Sequence, residues 1–170
     1  MMIPPPPPAV YAAAQAPPPL EVIGYRPGMA VAQIRKLIVA SGGTFSCKGT
    51  TDPRMKDCTG TLPFPQADPY FRVLVSSVKD SAAVIVFSVT GTHAYSQNIV
   101  PALTEQFGKP NYEVQREGGI QESWQWIRRG QMIRLVERKA GLMLEASITL
   151  TDGPLLDGLG PPKLKKPGDH

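Results

Sequence analysis

The sequence predicts an α+β fold of two tandem helix-plus-antiparallel-meander units, with the helices packed on one face of the sheet. Three observations carry this reading. Leu142, Leu144, Ala146, Ile148 and Leu150 alternate with Met143, Glu145, Ser147 and Thr149, the period of two of a half-buried strand. Met29–Ser41 and Ile99–Phe107 each place an apolar stripe at helical spacing, and each stops at glycine. Arg129-Gly130 and Ala140-Gly141 are short enough to close tight hairpins within Glu122–Asp152.

In chain order, residues 1–20 form a proline-rich arm. Its runs Pro4–Pro8 and Pro17–Pro19 favour extended polyproline II and cannot pack a core. A single domain is expected over residues 21–152, with unit one over 21–91 and unit two over 92–152. Glu21–Gly28 reads as a short strand that breaks at Gly24-Tyr25-Arg26-Pro27-Gly28. In the first helix Val31, Ile34, Leu37 and Ile38 form the buried stripe, while Ala30 stands where a capping Ser or Thr is expected. Thr44–Cys47 starts a strand that a polar loop interrupts, and Pro63, Pro65 and Pro69 make the next stretch irregular. Tyr70–Val78 and Ala82–Thr90 are strands, the second apolar on both faces and therefore central. Asn98 caps the second helix, which puts Pro101 in its first turn. Strands at Tyr112–Gln115, Glu122–Arg128, Gln131–Arg138 and Leu142–Asp152 complete unit two. Each helix is expected to lie across its own sheet, the two sheets side by side. Residues 153–170 leave the fold as a tail, its Leu155, Leu156 and Leu159 against the core and its basic end solvated.

A net charge of +4 is the scale of ordinary solubility and argues against nucleic acid as partner. No segment approaches the ~20 apolar residues of a transmembrane span. Met1–Pro19 has neither a basic nor an apolar region and is not a complete signal peptide, although Tyr11–Ala16 holds the small-x-small pattern of a cleavage site. A mis-started reading frame and a low-complexity tail both fit it.

Cys47 and Cys58 flank a polar, turn-rich loop. A disulfide, two free thiols, a redox pair and half a zinc site are all open. Zinc would need two more ligands, and His93 is the only histidine besides His170. The spacing is not Cys-x-x-Cys. No metal and no cofactor is called for.

No catalytic signature stands out. His93, beside Thr92, Tyr95 and Ser96, is the one candidate for a hydrolase-type general base, but no nucleophile or orienting acid is placed for it. The carboxylates form no paired motif, and Arg116-Glu117-Gly118-Gly119 lacks the following helix that a phosphate loop needs. Trp124 and Trp126, two residues apart, project from one strand face. With Arg128, Arg134 and Tyr112 around them they form a candidate partner-binding surface, since Trp, Tyr and Arg dominate interface hot spots. The competing reading buries both tryptophans beneath a helix.

Gly24-x-Arg26-x-Gly28-Met29 ahead of an amphipathic helix with Ile34 resembles small exported bacterial α+β domains. These are the outer-membrane-assembly lipoproteins of the SmpA/OmlA type and the tandem β-lactamase-inhibitor-protein-like fold. Phe107-Gly108-Lys109-Pro110 before Trp124-Gln125-Trp126 looks like the second unit of that design, so the resemblance covers roughly Ile23–Asp152. It implies a Cys47–Cys58 disulfide, a periplasmic or secreted location, and a non-catalytic protein-binding or scaffold role in the cell envelope. Two departures stand against it: there is no lipobox cysteine near the N-terminus, and the residue after Gly28-Met29 is Ala30. An enzyme acting through His93 and a structural spacer built on the proline arm are the rival readings.

Overall fold

The computed structural model describes residues 19–63, 71–91, 94–115 and 120–160. Expectations placed on the proline runs before Pro19, the stretch 64–70, His93, the 116–119 loop and the basic end of the tail lie outside the described residues.

The chain is α+β and runs α1 (Val31–Ala40), β1 (Thr44–Gly49), β2 (Met55–Leu62), β3 (Phe71–Val78) and β4 (Ser81–Gly91). It continues through α2 (Ser96–Phe107), β5 (Tyr112–Gln115), β6 (Gln121–Arg128), β7 (Gln131–Ala140), β8 (Met143–Asp152) and the short α3 (Gly153–Asp157). The strands form one antiparallel sheet in the order β1-β2-β3-β4-β8-β7-β6-β5. The two sheets expected side by side are therefore one, because β4 and β8 pair from Val84↔Thr151 to Gly91↔Leu144.

Helix α1 ends where Gly42 takes a left-handed φ of 82° and Gly43 donates its N–H back to the Ile38 carbonyl. A side chain at Gly43 would run into the Thr61 carbonyl and Ile38, so the helix end sits tight on β2. The strand expected near Leu20 and Val22 is instead a single bridge, Val22↔Tyr25, closed by the positive φ of Ile23 and Gly24. Leu20, assigned to the arm by its sequence context, is fully buried.

Three hairpins close through residues at positive φ: Lys79-Asp80, Arg129-Gly130 and Gly141. Leu142, expected in the apolar row of the last strand, sits in the third of these turns and is 98% exposed. Helix α2 begins at Ser96, earlier than Asn98, and its N-cap Tyr95 makes no side-chain cap bond. Pro101 consequently lies in the second turn. Its missing N–H leaves the Gln97 carbonyl without its helical donor, at a position open to water. Past β8, Asp152 caps α3 by accepting from the Leu155 N–H, and Arg54 donates to the Leu159 carbonyl at 2.6 Å. The chain thus stays on the fold beyond residue 152. Arg54 also donates to the Asp52 carboxylate, and this hydrogen bond raises its pKa above the usual value.

Apart from the bulge in β4 opposite Ser76 and Ser77, the ladder registers sort the strand residues onto two faces. One row crosses the sheet as Cys47, Cys58, Val75, Ile85, Leu150, Ile133 and Trp126. The next carries Phe45, Val73, Phe87, Ile148, Leu135 and Trp124. This core face is joined to the buried Val31, Ile34 and Ile38 of α1 and to Leu103 and Phe107 of α2 in one apolar cluster. Burying each such side chain is worth about 1.5–3 kcal/mol. On the other face, here called outer, lie Ser46, Thr59, Leu74, Val86, Thr149, Arg134, Gln125 and Tyr112. Beside them run Arg72, Ser88, Ser147, Val136, Ser123 and Val114.

Candidate functional site

Cys47 and Cys58 are bonded to each other across the β1–β2 ladder, where their Cα atoms stand 4.0 Å apart as direct register partners. The segment between them is not the long loop expected, since β2 resumes at Met55 and only Thr50–Arg54 turns. Arg35 of α1 covers the pair: it donates to the Phe45 carbonyl, approaches the Cys47 Sγ at 3.7 Å and lies over the Phe45 ring.

The five residues expected to form one binding surface divide between the two faces. Trp124 and Trp126 point into the core and are 6% and 1% exposed, so they are not surface anchors. The Trp126 Nε1–H donates to the Gly108 carbonyl at 3.0 Å, fixing the end of α2 to β6. Arg128 shares that face. Its guanidinium donates to the Phe107 carbonyl at 2.7 Å and lies over the Phe107 ring, which places a cation at the negative end of the helix. Spacing by two puts these three side chains together, but it cannot say which face meets a helix.

Tyr112 and Arg134 remain on the outer face, flanking Gln125, with which both are in register. Tyr112 is 60% exposed at the edge strand β5. Exposed Val114, Ile127 and Leu74 share the face with it. These aliphatic positions were missed as site residues because each sits between residues of the core row. The signal that could have found them is the parity opposite to Trp124 and Trp126.

Arg134 is partly buried, and its Nε–H is shut away from water with no hydrogen-bond partner among the described residues. A groove of about 640 Å³ runs over the same face, lined by Arg72, Ser88, Val136, Arg138, Glu145 and Ser147. Among the described strand residues four cations, Lys48, Arg72, Arg134 and Arg138, share the outer face with two acids. Both acids are engaged: Asp57 accepts from the Ser76 hydroxyl, and Glu145 pairs with Arg138 at 2.9 Å.

On the core side an apolar cavity of about 660 Å³ lies between α2 and the Val22–Gly24 turn, floored by Phe71, Phe87 and Ile148. Glu21 is its only carboxylate among the described residues. No group of three or more His, Cys, Asp or Glu side chains suited to a metal occurs among the described residues. Likewise, no described helix is long and apolar enough to cross a membrane.

No family model, curated protein or solved structure matches the chain.

Proposed function

We propose that this chain is an exported, non-catalytic binding module of the bacterial cell envelope whose outer sheet face docks a protein partner. In this reading the chain is a tandem repeat. Each unit is one helix followed by a four-stranded meander, both helices cover the core face, and the two last strands, β4 and β8, join the units. The order helix, four strands, helix, four strands supports it, as do the contacts of α1 to Phe45 and Cys47 and of α2 to Trp126, Arg128 and Glu137. The Cys47–Cys58 disulfide supports an oxidising compartment, periplasmic or secreted.

The observation that carries the docking reading is the outer face itself. Tyr112, Val114 and Ile127 stand exposed on the face of an arginine whose Nε–H has no partner among the described residues. Aromatic and arginine side chains in one patch are the composition of an interface hot spot. Such a role needs no catalytic group and is consistent with the resemblance to envelope binding domains.

Photo-crosslinking in intact cells tests it. A photoreactive residue at Gln125, in the middle of the outer face, should trap one discrete protein adduct. The same residue at Gln33, exposed on α1, should trap none. Adducts at Gln33 with none at Gln125 would contradict the proposal.

A further inference from the structure

Resting on that docking reading, we infer that the partner is acidic: it lays a carboxylate-bearing segment across the outer-face groove, with one carboxylate on Arg134 and a second on Arg72. A buried N–H needs an acceptor, and the Arg134 Nε–H has none among the described residues. Its register neighbours are Gln125 and Thr149, and beyond Gln125 lies Tyr112. All three are neutral and none is a carboxylate.

Of the two described acids of this face, Asp57 accepts from Ser76 and Glu145 pairs with Arg138. Arg72 is exposed on the same face and has no ion pair among the described residues. Strand order puts Arg72 on β3 and Arg134 on β7. Three strand spacings across the sheet and two residues along the strand separate them, about 16 Å. The groove runs from Arg72 past Ser88 and Ser147 to Val136, two residues along β7 from Arg134. The planar guanidinium fork matches a carboxylate through two parallel hydrogen bonds, and such charge-assisted contacts are stronger than neutral ones.

The experiment is a selection of randomised peptides displayed against the full chain, with the enriched sequences measured on three variants. Arg134→Met and Arg72→Met remove the cations, and Thr149→Trp fills the face beside Arg134. Thermal melting of each confirms that it folds. The inference expects enriched peptides to carry Asp or Glu and to lose affinity with added salt. It also expects roughly tenfold or greater weakening on Arg134→Met, a smaller loss on Arg72→Met, and no binding to Thr149→Trp. Peptides without acidic residues that ignore Arg134→Met yet fail on Thr149→Trp would overturn the acidic partner and leave the docking face standing. Binding indifferent to Thr149→Trp, or a library that yields no binder, would remove the docking face itself.

Discussion

Glu137 on β7 reaches the start of α2 and accepts both hydrogen bonds that Ser96 donates, from its backbone N–H at 3.0 Å and from its hydroxyl at 2.9 Å. The first N–H groups of a helix have no partner inside it, and a carboxylate there also meets the positive end of the helix dipole. This contact does for α2 what a local N-cap residue does elsewhere, and it ties the helix to the sheet.

Glu137→Ala is therefore expected to cost about 1–2 kcal/mol, and Ser96→Ala about half as much. Urea unfolding of the two single variants and the double variant closes a mutant cycle. The double variant should lose less than the sum of the singles. Strict additivity would mean that the contact does not hold the helix.

Both tryptophans are expected to emit at short wavelength in the folded protein and to resist iodide quenching, shifting to the red only on unfolding. Trp126→Phe should cost about 1–3 kcal/mol, since it removes the donor to Gly108 and leaves a small void. Strong quenching of the native emission would return the pair to the surface.

Reduction of Cys47–Cys58 should lower stability by about 3 kcal/mol through restored freedom of the unfolded chain. The fold should survive, because six register pairs hold β1 to β2 and β2 continues into β3. Melting with and without reductant, followed by far-ultraviolet circular dichroism, reads this directly. Collapse of the whole spectrum at low temperature would show that the ladder depends on the bond.

Arg134→Met is expected to be neutral or to stabilise the isolated protein by about 1 kcal/mol, since it removes a buried donor that no described residue accepts. A loss of stability beyond that amount in urea unfolding would assign Arg134 a structural role.

The elements legible in the sequence are those whose signals are local. The alternation along Leu144–Leu150, the stripe Val31, Ile34 and Ile38, and the turn pair Arg129-Gly130 each lie within a few residues. Strand β2 was not legible, because Lys56, Asp57, Thr59 and Thr61 are exposed and only Cys58 and Leu62 are buried. A strand that is mostly polar reads as a loop. The start of α2 was hidden for a different reason: Glu137 lies 41 residues away from the Ser96 it caps. The single sheet rests on β4 pairing with β8, a contact between distant segments that no local pattern encodes. Among the candidate site residues, period two grouped Trp124, Trp126 and Arg128 but could not say which face is buried. Tyr112 and Arg134 fell on the other.

The most direct measurement is the side-chain Nε–H resonance of Arg134 in nitrogen-15-labelled protein, titrated with a peptide selected on the full chain. It should move downfield, saturably and further than any other arginine, while backbone amides of Gln125 and Thr149 shift with it. A silent Arg134 signal, with perturbations gathered on Gln33, Lys36 or α2 instead, would contradict a docking face on the outer side of the sheet.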